Sequence, residues 1–134
     1  MADKRYRILV VDDLSDWRKT LGGLLREAGY EVNVAASLTE ARASLKSAPF
    51  DLAIVDVRMD ETDENNTEGL DLAAEIKRRW PAIKIVIITG YDTSDTVKRA
   101  MEPQDAGQQR LVADFVTKTE TDKLVQVVQR VLGQ

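Results

Sequence analysis

Apolar runs and helical patterns alternate along the whole chain. The first run, Tyr6 to Val11, is apolar throughout Ile8-Leu9-Val10-Val11 and reads as a strand. Trp17, Leu21, Leu24, Leu25 and Ala28 follow at the three-and-four spacing of an amphipathic helix, which Gly29 closes as a C-terminal cap would. The Gly22-Gly23 pair inside that helix costs about 1 kcal/mol per glycine and reads first as a tolerated weakness, with close packing or function as the other reading. Tyr30 to Ala35 is predicted as strand two. Ser37 and Glu40 match a capping box that opens helix two, which runs to about Lys46.

Leu52 to Val57 is strand three. From Gly69 to Trp80, Leu70, Ala73, Ile76 and Trp80 share one helical face, and Pro81 closes the helix. Ile83 to Ile88 is the most apolar run and reads as strand four. A weaker helix four follows from about Ser94 to Met101, then a polar stretch, EPQDAGQQR. Asp114 to Thr117 is strand five, and a fifth helix spans roughly Thr121 to Leu132. Five strands alternating with five helices predict an α/β fold, a parallel sheet with helices on both faces. Strands covered on both sides need not alternate, which suits runs this apolar. With no internal repeat and no linker, residues 1–134 are expected to form one domain.

Polar residues gather at the strand ends. Strand one ends in Asp12 and Asp13, strand three in Asp56, strand four in Thr89-Gly90, and strand five in Lys118. Strand two ends in Ala35-Ala36-Ser37 and offers no strong ligand. Parallel α/β sheets bind ligands outside the carboxyl ends of their strands. With strand two at the edge and strands one and three adjacent, the order is 2-1-3-4-5, a flavodoxin-like (βα)5 arrangement, and the three acids converge. Their mutual repulsion raises each other's proton affinity, and a hard divalent cation relieves it. Mg2+ suits such an oxygen cup and keeps several waters. Lys118 would then supply a point charge to a phosphoryl group, and Thr89 a hydroxyl hydrogen bond.

Composition narrows the chemistry. The 134 residues are 43% hydrophobic and 31% charged, as in a globular protein. There is no cysteine and no histidine. A Ser-His-Asp triad, a thiolate nucleophile and a phosphohistidine carrier are thereby excluded. Nineteen basic against 23 acidic residues leave a net charge of -4, which gives no nucleic-acid footprint. No apolar run approaches the roughly 20 residues of a membrane span, and a cytoplasmic location is expected. A carboxylate remains as the plausible nucleophile, forming an acyl phosphate. Asp56 stands alone on the central strand, whereas the Asp12-Asp13 pair is better suited to metal.

These residues resemble the receiver domain of two-component response regulators over the whole chain. The resemblance rests on VVDDLSDWR, DLAIVDVRM, IITG and DFVTK, in that order at the strand ends. It implies that Asp56 is the phosphoacceptor and that Asp12 and Asp13 bind Mg2+, directly or through water. It implies that Arg58 gives its backbone carbonyl to the metal, that Thr89 senses the phosphoryl group and that Lys118 pairs with it. Phe115 matches the aromatic that changes rotamer on activation. A histidine kinase or phosphotransfer protein would be the donor, and the domain would catalyse only its own phosphorylation and dephosphorylation. The switched surface would be the helix-four, strand-five, helix-five face, a possible homodimer contact.

Each residue also has an ordinary structural reading. Asp12 could be a helix N-cap, Thr89 a strand-end hydroxyl, Phe115 a core residue and Lys118 a surface lysine; Trp17 and Trp80 read as packing residues. The chain departs from the family in RMDETDENNTE, residues 58–68, which is longer than usual, acidic and lacks a proline. It is expected to be a solvated loop, with tuning of kinase access or phosphoryl lifetime as the sharper alternative. The 101–110 stretch is also long and polar, and Thr119 stands where the family has proline. Two other functions compete: a pseudo-receiver that binds without phosphorylation, and an Asp-nucleophile phosphatase or phosphotransferase. No output domain is expected within the chain, which would act by docking alone or as the receiver part of a longer protein.

Overall fold

The computed structural model describes residues 5–56, 68–89 and 113–133, except for the side chains of Thr89 and Thr119. The acidic 58–67 stretch, Arg58, Gly90, the helix expected from Ser94 to Met101 and the 101–110 segment lie outside the described residues. So does Val57, the expected end of strand three. Five strands form one sheet: β1 (Arg7–Val11), β2 (Glu31–Ala35), β3 (Leu52–Asp56), β4 (Lys84–Thr89) and β5 (Asp114–Thr117). Their order is β2-β1-β3-β4-β5 and every pairing is parallel. Helices α1 (Ser15–Glu27), α2 (Leu38–Ser47), α3 (Glu68–Arg79) and α4 (Leu124–Val131) pack on it.

The pleat sorts the core into two layers. Leu9, Val11, Ala53, Val55, Ile85 and Ile87 pack with α2 and α3 through Ala41, Leu45, Leu72, Ala73 and Ile76. Ile8, Val10, Leu52, Ile54, Val86, Ile88 and Val116 pack with α1 and α4 through Leu21, Leu25, Leu124 and Val128. The alternation follows from the two-residue period of a strand. Fully burying each large aliphatic side chain contributes about 1.5–3 kcal/mol, so covering both faces explains the near-continuous apolar strands.

Local signals set the helix ends. Ser37 Oγ accepts from Glu40 N at 3.1 Å, while Glu40 Oε1 accepts from Ala36 N at 3.2 Å. The reciprocal pair is the expected capping box, returning one residue earlier than usual. Gly29 takes φ +98 after α1, and its N–H donates to Arg26 O at 3.0 Å. A side chain there would be strained. Gly22 and Gly23 fit the weaker reading. A Cβ at Gly22 would make ordinary contacts with the Arg26 guanidinium at 3.4 Å and Val32 Cγ1 at 3.8 Å, and one at Gly23 would meet open space.

The predicted fifth helix is corrected at its start. Residues Lys118–Lys123 form 3-10 turns, with Glu120 at φ -128 and ψ 42, before the α-helix begins at Leu124. The cause is local: Thr117 Oγ1 donates to Glu120 Oε1 at 3.3 Å, and Lys123 Nζ also donates to that carboxylate. Such side-chain bonds compete with regular helix. Among the described residues no peptide bond is cis, and the Lys118–Thr119 bond is trans.

Glu75 ties α2 to α3, accepting from Arg42 Nε and from Arg79 Nη1, both at 2.9 Å. Burial pushes its carboxyl upward, but the two guanidinium groups outweigh that and hold it below its ordinary 4.5. A depressed folded-state pKa stabilises above the unfolded value and loses that contribution as pH falls through the folded one. Glu75→Gln is therefore expected to lower stability by about 0.5 kcal/mol at neutral pH. In urea titrations the gap from the parent protein should close as pH falls through that lowered value.

Candidate functional site

Strand alternation carries the core pattern straight into the site. Asp12 lies two residues beyond Val10, Asp56 two beyond Ile54, and Lys118 two beyond Val116, all in the layer facing α1 and α4. The register pairs Val11 with Val55, so its next step brings Asp12 beside Asp56. Asp56 pairs in turn with Ile88, and Thr89, the last residue of β4, pairs with Thr117. The sheet thus delivers two acids, a threonine backbone and a lysine to one edge. The Thr89 hydroxyl and the Arg58 carbonyl lie outside the described atoms.

Asp12, Asp13 and Asp56 each present a carboxylate oxygen within 4.8 Å of the others. Asp12 and Asp56 are buried and Asp13 partly so. Asp12 has two jobs. Its Oδ1 accepts from Leu14 N at 3.0 Å, the bond that turns the chain into α1, and its own N–H donates to Ala35 O at 3.1 Å. The N-cap reading of Asp12 is corrected: Leu14 is the N-cap of α1 and has no side-chain cap bond, and Asp12, two residues earlier, bonds the Leu14 amide instead. Its Oδ2 is buried without a hydrogen bond and faces the Lys118 ammonium at 3.1 Å as an ion pair. Arg18 Nη1 donates to the Asp12 carbonyl at 2.9 Å and fixes the same corner. β2, which supplies no ligand, holds the corner through Ala35.

Lys118 is buried, not a surface lysine, and its Nζ also lies 3.3 Å from Asp56 Oδ2. Burial pulls its pKa down, but attraction to Asp56 and Asp12 outweighs this and raises it above the ordinary value. The ammonium stays charged at neutral pH. Trp17, read from the sequence as a packing residue, places its ring 5.2 Å from the same nitrogen, measured to the centroid. Phe115 is 38% exposed on β5, so the core reading of this residue is wrong. Its neighbour Val116 fills the core instead.

One lysine against three carboxylates leaves an excess of negative charge in a largely buried place. An all-oxygen donor set with a buried oxygen lacking a hydrogen bond fits a hard divalent cation. Nothing in the cluster offers a nitrogen or sulfur ligand.

The family model for the response regulator receiver domain matches residues 8–129. The chain belongs to that family. Its receiver fold serves phosphorylation-dependent signalling in two-component systems. The transcriptional regulatory protein ZraR of Salmonella typhimurium is 36% identical over 134 residues, covering 99% of this chain and 28% of that protein. The alginate biosynthesis transcriptional regulatory protein AlgB of Pseudomonas aeruginosa is 36% identical over 101 residues, 75% of this chain and 21% of AlgB. The receiver thus spans about a quarter of the curated relatives it matches. Among solved structures, the receiver domain of NtrX from Brucella abortus superposes with a TM-score of 0.77 at 29% identity, covering 95% of this chain and 98% of that one. TrrA from Thermotoga maritima, in complex with Mg(2+)-BeF, gives 0.73 at 30% identity, with 94% and 98% covered. No described helix is long and apolar enough to cross a membrane.

Proposed function

We infer that Asp56 accepts the phosphoryl group of this receiver, with Asp12 and Asp13 holding Mg2+ beside it and Lys118 pairing with the phosphoryl oxygens. The observation that carries this reading is the convergence of three carboxylates and one buried lysine at a single edge of the sheet. The Mg(2+)-BeF complex of the related TrrA supports a magnesium-dependent site. The donor is a phosphohistidine on a kinase or phosphotransfer protein. An Asp56 oxygen bonds to phosphorus as the P–N bond breaks, and the departing imidazole keeps the electron pair and takes up a proton. Bound Mg2+ would neutralise charge on the oxygens of the transferring group.

Lys118 gives a charge-assisted contact that strengthens as negative charge gathers on those oxygens. The Thr89 hydroxyl and the Arg58 carbonyl take the roles the family implies. The adduct adds roughly one negative charge relative to the carboxylate, using about -2 for the phosphoryl group. Moving Thr89 and Lys118 toward it would bias the surface around β5, α4 and the preceding segment, with Phe115, exposed on β5, as the aromatic that would change rotamer. A partner or a second receiver would read that surface.

Incubation with acetyl phosphate and Mg2+, followed by intact-mass measurement, tests the reading. One added phosphoryl group is expected, and chelation of the metal should prevent it. Asp13→Ala is predicted to abolish this Mg2+-dependent adduct while the circular dichroism spectrum stays that of the folded protein. Turnover of the donor with no trapped adduct would overturn the reading in favour of a phosphatase.

A further inference from the structure

Trp17 is the site neighbour that the receiver chemistry leaves unused. It sits in the first turn of α1, partly buried against the layer containing Val116, Leu124 and Val128. Its ring holds the Lys118 ammonium 5.2 Å from the centroid, within the roughly 6 Å at which a cation–π attraction acts. Lys118 is 9% exposed, and a cation taken out of water gains more from a ring than an exposed one does. The partners of this ammonium also include Asp12 and Asp56, the groups whose oxygens a metal ion and a phosphoryl group would claim. The ring is a partner that neither ligand competes for.

We propose that Trp17 is a positioning residue for Lys118, holding the ammonium at the acidic cluster while its carboxylate partners are exchanged for metal and phosphoryl group. α1 is well placed for this. Its entry is fixed by the bond from Leu14 N to Asp12 Oδ1 and by Arg18 on the Asp12 carbonyl, so the ring is registered to the same acid that Lys118 pairs with. A long flexible side chain that keeps an attachment neither ligand displaces loses less of its position than one tied only through the groups that are displaced. The proposal rests on the acceptor reading above for its kinetic consequence but not for the contact itself.

The test compares Trp17→Leu, which keeps apolar bulk, with Trp17→Phe, which keeps a weaker π-face; Trp80→Phe, on the opposite layer, is the control. Phosphorylation by acetyl phosphate with Mg2+ is expected to slow about tenfold in Trp17→Leu. Trp17→Phe should recover to within about threefold of the parent, and Trp80→Phe should match it. A loss of equal size in Trp17→Leu and Trp17→Phe, or no loss in either, overturns the proposal. A second measurement stands apart from phosphorylation. In the metal-free protein the Lys118 ε-methylene protons should resonate upfield through the ring current, and Trp17→Leu should remove that shift. Unshifted Lys118 protons in the parent overturn the contact, whereas a parent that takes up no phosphoryl group sinks only the acceptor reading.

Discussion

Asp56→Asn is expected to take up no phosphoryl group from acetyl phosphate under conditions where the parent protein gains one. The amide lacks the anionic oxygen that must bond to phosphorus, and Asp12 beside it is committed elsewhere. Asp12 spends one oxygen on Leu14 N and the other on the Lys118 ion pair. The variant should nevertheless fold. Asp56 is buried beside two other carboxylates, so neutralising it removes like-charge repulsion and leaves Asp12 and Lys118 as a matched pair. A higher urea midpoint in metal-free buffer is the predicted companion result. Phosphoryl uptake that survived the substitution would move the acceptor to another residue.

Lys118→Met should have the second-largest effect, on both rate and stability. Methionine keeps the length and flexibility of the stem but removes the charge. Losing a donor aimed at oxygens that gain charge in the transition state slows phosphorylation by about 10²–10³-fold, by analogy with other preorganised donors. In metal-free buffer the substitution leaves Asp12 and Asp56 buried without their cation, a loss of about 3–5 kcal/mol. Millimolar Mg2+ should restore much of that, since a cation in the acidic cup does the same neutralising work. The sign with pH follows from the raised folded-state pKa of Lys118. Its stabilisation is complete at neutral pH and is lost as pH climbs through the raised value. Urea titrations of the variant with and without Mg2+ check both statements.

Much of this site was legible in the sequence because a strand has a strict period. VVDD, AIVD and FVTK each continue an apolar row by two positions, and the parallel register then brings the three rows together. The order 2-1-3-4-5 followed from asking which neighbours would make the acids meet. What the sequence hid was contact between elements. Trp17 has the spacing of a core residue on α1, and nothing in the local pattern reveals that a lysine 101 residues later lies over its ring. Lys118 looks like any charged residue after a strand until burial and two acids are known.

The dual role of Asp12 escaped for a related reason. A carboxylate has two oxygens, and a helix N-cap and a metal ligand were weighed as rivals, whereas one oxygen bonds the Leu14 amide and the other faces Lys118 in the acidic cluster. Phe115 misled through its neighbours: hydrophobicity suggested core, but in a four-residue strand the pleat gives the interior to Val116. The late start of α4 lay in side-chain bonds among Thr117, Glu120 and Lys123 that compete with backbone pairing. Helix periodicity does not register such competition.

The central claim is that Asp56 carries the phosphoryl group as an acyl phosphate. Borohydride reduces an acyl phosphate on aspartate to homoserine, marking the residue for peptide mass spectrometry. After phosphorylation in Mg2+, the peptide spanning Leu52 to Asp56 should contain homoserine at position 56, and the peptides with Asp12 and Asp13 should be unchanged. Homoserine at position 12 or 13, or a phosphoryl group that resists borohydride and remains on a hydroxyl, would contradict the account.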